Sequence, residues 1–196
     1  MPFLAVPVKL PRVTSRVMLV IFLLTAVWFS LVLTSPLMVP SNTLRDLTGV
    51  VGQHDNDAQF GTLAPLPHAI YWIGDAECHQ IATRSFFING NEMPFCSRDT
   101  GLFFGLAFGL GVATFIRYKI KPWLALAGLV PLALDGGVQL LTNYESNNPM
   151  RLATGIVAGI ALGLLLAHFI FALQEDKPKP KPVPAAPESE KSPSGL

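Results

Sequence analysis

From residue 17 to residue 44 the chain carries no charged residue at all, and a run of that kind decides the solvent in which the chain folds. Its core, VMLVIFLLTAVWFSLVL (residues 17–33), is about 26 Å long as a helix, and Thr34 and Ser35 bring it to hydrocarbon thickness. Lys9, Arg12 and Arg16 precede it with three prolines and no acid. A basic start and an apolar core also fit a cleaved signal peptide. The run is long for a signal core and no clear small-x-small site lies behind it, so an uncleaved signal anchor is expected. Under either reading the chain beyond residue 35 is exported.

Three more apolar stretches occupy the second half. Residues 101–116 (GLFFGLAFGLGVATFI) reach only about 24 Å as a helix and need help from their flanks. Residues 122–141 form the next, interrupted by Pro131, Asp135, Gly136 and Gly137, and residues 152–173 form the last. With 51% hydrophobic and 14% charged residues, the chain of 196 is too apolar for an ordinary soluble domain. A net charge of +1 and the lack of a basic, aromatic-interleaved patch argue against a nucleic-acid partner.

The basic residues orient the spans. Lys9, Arg12 and Arg16 precede the first, Arg117, Lys119 and Lys121 join the second to the third, and Lys177, Lys179 and Lys181 come after the fourth. In a four-span reading all three clusters fall on one side, which the positive-inside rule makes cytoplasmic. The expected architecture is therefore all-α: a four-span transmembrane helical bundle in a prokaryotic plasma membrane, with both termini cytoplasmic. Its parts are a cytoplasmic N-terminus (1–16), the first helix (17–35), an extracytoplasmic loop region (36–100), a three-span region (101–173) and a cytoplasmic tail (174–196). The tail is Pro, Lys, Ser and Glu with almost no apolar residue, a composition that cannot bury a core. Within the loop region, residues 36–67 are rich in turn formers, and His54-Asp55-Asn56-Asp57 reads as a solvated turn. Residues 67–80 suggest a short helix with Trp72 as an interface anchor.

Polar residues inside spans are costly and raise a functional hypothesis by default. Asp135 and Gln139, four apart on one helix face, lie in the outward half of the third span. Arg151 opens the fourth with Thr154 beneath it, and Arg98, Asp99 and Thr100 open the second. These groups fall at one level under residues 78–100, the segment that carries Cys78, His79, Arg84 and Cys96. Each also has an ordinary structural reading. Ser97 or Asp99 can serve as an N-cap, Asp135 can pair with Arg151 or another cation near the outer face, and His168 reads as a packing residue. Glycines repeat every fourth residue at Gly101, Gly105 and Gly109 and at Gly155, Gly159 and Gly163, a spacing that lets helix backbones approach closely.

The two cysteines admit two readings. Export favours a Cys78–Cys96 disulfide, worth about 3 kcal/mol for a loop of that length, and no stoichiometric metal. The alternative is a zinc site drawn from Cys78, His79, Cys96 and Asp99, since thiolate, imidazole and carboxylate all bind zinc. The C-x-x-D spacing matches half of a zinc knuckle.

Taken together, Cys78-His79-Gln80, Arg84-Ser85-Phe86, Gly90, Pro94, Cys96, Arg98 and Thr100-Gly101 resemble a family of membrane proteins, domain-of-unknown-function family 2085. Asp135-Gly136, Gln139 and Arg151…Thr154-Gly155 resemble its later signature. The resemblance covers about residues 66–172. It implies that the position of Asp99 is commonly a cysteine in relatives, in a C-x-R-C-T-G run that would suit a metal site, and this chain departs from that pattern. The resemblance implies the fold and the site and no particular reaction.

Function is accordingly expected at the extracytoplasmic membrane face, in contact with membrane lipids. A binding or accessory role beside other membrane subunits is favoured. The alternative is a membrane-embedded, metal-dependent enzyme on a lipid or other anionic amphiphile. Its site would draw on His79 or Asp99 as acid–base groups, Asp135 as a second carboxylate, and Arg84, Arg98 and Arg151 for the anion, with Gln139 beside them. A transporter fits less well, because four spans leave little room for a path. Ser-His-Asp order, phosphate loop, haem motif and H-E-x-x-H are all missing.

Overall fold

The computed structural model describes residues 13–118 and 120–175. Helix α1 (Arg16–Thr34) opens with Ser15, whose Oγ accepts from the Met18 N–H. It runs into a short 3-10 turn (Ser35–Met38) started by Pro36. Next is a loop region with α2 (Asp57–Phe60), α3 (Pro65–Glu77) and a hairpin of β1 (Phe87–Ile88) and β2 (Asn91–Glu92). Then come α4 (Ser97–Phe115), α5 (Pro122–Ala127), α6 (Val130–Leu141) and α7 (Asn148–Glu175).

Three helical stretches among the described residues are long and apolar enough to cross a membrane: Arg16–Met38, Pro122–Leu141 and Asn148–Glu175. The remaining expected span, α4, second in chain order, is not among them, because Arg98 and Asp99 lie inside its first turn and lower its mean hydropathy. The helix also begins four residues earlier than the apolar run suggests. The Pro122–Leu141 stretch is broken in two. Pro131 lacks an N–H, and its ring opposes the carbonyl of Ala127, the last residue of α5, so the chain turns at Gly128 and Leu129 before α6 resumes. Large apolar side chains stay exposed along these stretches, Leu24, Leu134 and Leu141 among them, as lipid contact requires.

The two glycine rows face each other. A Cβ on Gly101 or Gly105 would strike the Leu152 or Ile156 carbonyl, and one on Gly155 or Gly159 would strike the carbonyl of Arg98 or Leu102. Contacts advance together along both chains, so α4 and α7 run parallel at close backbone approach. Helix α1 lies antiparallel to α4: the Thr14 N–H donates to the Thr114 carbonyl at one end, and Trp28 meets Phe103 edge-on (6.0 Å) towards the other. Helix α6 also runs antiparallel to α7, with Gly128 against Ala161 and Gln139 near Arg151. The C-termini of α1 and α6 and the N-termini of α4 and α7 thus gather at one end of the bundle, where the loop region sits.

That loop region has its own core of Val39, Leu44, Leu47, Phe60 and Tyr71. Asn91, fully buried, ties it to the hairpin. Its Oδ1 accepts from the N–H groups of Thr43 (2.8 Å) and Leu44 (3.0 Å), and its Nδ2 donates to the carbonyls of Pro36 and Pro40 (both 3.0 Å). The solvated turn expected at residues 54–57 is not found at Asn56. That residue is buried, its Nδ2 donates to Asp75 Oδ1 (2.6 Å), and its N–H donates to Asp75 Oδ2 (3.0 Å). A buried carboxylate on α3 needed those donors. The expected tail (174–196) lies outside the described residues from 176 on, and Gln174 and Glu175 still belong to α7. Of the N-terminal segment, residues 1–12 lie outside as well.

Candidate functional site

Cys78 closes α3, and Cys96 occupies the N-cap position of α4, so two chain ends from different elements meet here. The expected Cys78–Cys96 disulfide is not formed: both cysteines are free thiols. The Cys96 N–H donates to Cys78 Sγ at 3.3 Å, and the Cys96 thiol points instead at Asp99 Oδ2, 3.1 Å away, one turn into the helix. One ligand atom each of Cys78, Cys96 and Asp99 lie within 4.8 Å of one another. The neighbouring Cys96 thiol, and then burial, push the Cys78 thiol well up. The same neighbour draws the Cys96 thiol down, against burial and the Asp99 charge.

His79, expected beside them, borders the same pocket but stands outside the cluster of Cys78, Cys96 and Asp99. It is exposed, and its Nδ1 lies 3.2 Å from the Gly49 carbonyl. Adjacent positions at a helix end project in different directions, and here Cys78 took the inward one. The N-cap expectation also fails in detail. Asp99 sits inside the first turn, while Ser97 Oγ, buried, donates to the Arg84 carbonyl (2.6 Å) and lies 2.7 Å from Asn148 Oδ1. Ser97 thus fastens the loop to the starts of both α4 and α7.

Three guanidinium groups surround the Gln139 amide. Arg98 reaches across from α4 and its Nη2 donates to Asp135 Oδ2 at 2.5 Å, so of the cations near that face the partner of Asp135 is Arg98 rather than Arg151. The reason is rotational: Asp135 and Gln139 share a face of α6 that looks at the first turn of α4. Arg98 and Arg151 lie 3.4 and 3.5 Å from Gln139 Oε1, and with the amide turned over, that oxygen accepts from Arg84 instead (3.1 and 3.3 Å). Arg84, at the end of the 3-10 turn Ala82–Arg84, pairs with Glu145 (3.4 Å). Glu145 and Asn148 were not anticipated from the sequence. Glu145 lies in the short polar loop before α7 and Asn148 opens α7 itself, so both side chains acquire a role only when α7 is docked. The arginines, Gln139 and the two sulfurs line one pocket of about 80 Å³.

The fold and this site define a helical membrane protein with a dithiol, a carboxylate and three arginines gathered at the loop-bearing end of its bundle. A family model described as "Predicted membrane protein (DUF2085)" matches residues 78–165, which include every one of these groups. An uncharacterized protein of Methanocaldococcus jannaschii is 34% identical over 109 residues, covering 53% of this chain and 70% of that protein. Another uncharacterized protein, from Methanothermobacter thermautotrophicus, is 39% identical over 100 residues, covering 47% of this chain and 89% of the relative. No solved structure matches. The chain belongs to the DUF2085 family of predicted membrane proteins.

Proposed function

We propose that the chain crosses the membrane four times, α4 included, and binds an oxyanion at headgroup depth on the extracytoplasmic face, in a binding or accessory role. Support for α4 as a span comes from its 19 residues, about 28 Å of helix, packed parallel to α7 along their shared length. Arg16, Arg117 and Lys121 gather at the end opposite the loop region, the arrangement that the positive-inside rule favours.

One observation carries the anion reading. Arg151 is 2% exposed, yet its nearest acceptors stand at 3.4 Å (Asn148), 3.5 Å (Gln139) and 3.7 Å (Glu145). Arg98 Nε is buried with no partner. Buried guanidinium groups need close acceptors, and a phosphate- or carboxylate-bearing ligand in the pocket supplies them. A lipid headgroup and a free oxyanion share this chemistry. Thermal unfolding of the purified full chain in neutral detergent separates them. Phosphatidylglycerol is expected to raise Tm, phosphatidylcholine to leave it unchanged, and Arg151→Gln to abolish the shift. A response to inorganic phosphate alone would point to a free anion. Equal responses to both lipids, or a shift retained in Arg151→Gln, would sink the reading.

A second reading has its own support, because Cys78 and Cys96 open on to the same pocket as the arginines. It makes the protein a membrane-embedded enzyme on an anionic amphiphile. Turnover of the bound lipid, lost in Cys96→Ser, would promote that reading over simple binding.

A further inference from the structure

We infer that Cys78, Cys96 and Asp99 form a binding site for a single divalent cation of the zinc type, held by two sulfurs and one carboxylate oxygen with a fourth position open to the pocket. The inference goes beyond the anion-binding reading and does not rest on it.

Three features carry it. The ligand atoms lie within 4.8 Å of one another, and tetrahedral zinc with bonds of about 2.0–2.3 Å holds its ligands roughly 3.3–3.8 Å apart. The difference is at most about 1.5 Å, a distance on the scale of a side-chain rotation. Next, the sulfurs already have polar neighbours of the kind that orient metal thiolates. The Cys96 N–H donates to Cys78 Sγ (3.3 Å), and the Cys96 thiol meets Asp99 Oδ2 (3.1 Å). Gln80 adopts φ +44, a left-handed conformation unusual for a non-glycine residue, in the turn two residues beyond Cys78. Finally, charge balances. Two thiolates and a carboxylate carry −3, and a divalent ion leaves −1, facing Arg84, Arg98 and Arg151 across the pocket.

The donor set selects the ion. Two thiolates disfavour calcium and magnesium, which take oxygen ligands, and suit zinc, which tolerates a mixed sulfur and oxygen shell. His79 is not a ligand, since it is exposed and directed at Gly49. Three protein ligands with an open fourth position match the pattern of zinc sites that bind a further small ligand.

The test uses the full chain, purified in detergent under reducing, anaerobic conditions and titrated with Co²⁺ as a spectroscopic stand-in for zinc. Thiolate-to-cobalt charge-transfer absorption saturating at one equivalent is expected, with at least a tenfold loss of affinity in Cys96→Ser. His79→Ala is expected to titrate like the wild type. Asp99→Cys adds a third thiolate, so it should bind zinc at least tenfold more tightly against a competing chelator; this gain cannot come from misfolding. The proposal is overturned if the wild type shows no charge-transfer band, or if Cys78→Ser and Cys96→Ser both keep it. It is equally overturned if the protein leaves the membrane with its two thiols joined and takes up no metal.

Discussion

Asp135 shows how one contact changes the meaning of a residue. A carboxylate inside an apolar stretch has to find a cation, and Arg98 answers it at 2.5 Å with both side chains largely shielded. Removing the acid leaves that guanidinium without its partner, which costs about 3–5 kcal/mol. Asp135→Leu is therefore expected to lower Tm sharply in detergent, and Asp135→Leu with Arg98→Leu to recover part of the loss. Melting of the single variant at the wild-type temperature would rule the pair out as a structural contact. Glu92 poses the opposite problem. It is fully buried in the loop region, one oxygen accepts from the Leu47 N–H (3.2 Å), and the other has no partner. Burial first, and Asp46 nearby, push its carboxyl from an ordinary 4.5 up to about 7. The folded state then holds the proton more tightly than the unfolded chain. Stability from this group is complete below about 4.5 and is lost as pH rises to about 7, up to roughly 3 kcal/mol. Glu92→Gln is expected to flatten the fall in Tm between pH 5 and pH 8 and to make the protein more stable at the upper end.

At the scale of elements, the pairing of α4 with α7 rests on what the glycines lack. With a carbonyl of the facing helix where each Cβ would stand, Gly159→Val has no room and forces the two backbones apart. A loss of about 1–3 kcal/mol is expected, as for overpacked cores, read as a lowered Tm. Gly137→Ala is the internal control, because nothing lies within 4 Å of its added Cβ, and it should melt no lower than the wild type. The four-residue spacing announced close contact on both helices. It could not say that the two rows face each other, since any small-residue row fits any other. The break between α5 and α6 was foreshadowed by Pro131, which removes one backbone bond wherever it stands.

For the whole molecule, the decisive question is which side of the membrane the loop region occupies. Asn143 lies exposed between α6 and α7, while Cys78 is buried and Cys96 largely so. Asn143→Cys is therefore expected to react with an impermeant thiol reagent on intact cells. Ser194→Cys, in the tail, should react only after permeabilisation. The reverse pattern would invert the topology and place the arginine pocket in the cytoplasm.

Apolar length and the placement of Lys and Arg were enough to establish a helical membrane protein, because both reflect the cost of exposing charge or backbone to hydrocarbon and need no partner to be known. The membership of Cys78, Arg84, Cys96, Arg98, Asp99, Asp135, Gln139 and Arg151 in one neighbourhood was legible for the same reason: polar groups cluster at one level when spans alternate. Which of them touch was not legible. Helix rotation gave Asp135 to Arg98 in place of Arg151, the direction of one side chain at the end of α3 brought Cys78 in and sent His79 out, and docking of α7 added Glu145 and Asn148. Those choices depend on angles of a few tens of degrees between packed helices. Residue spacing along one chain does not encode them, and only the tertiary packing decides them.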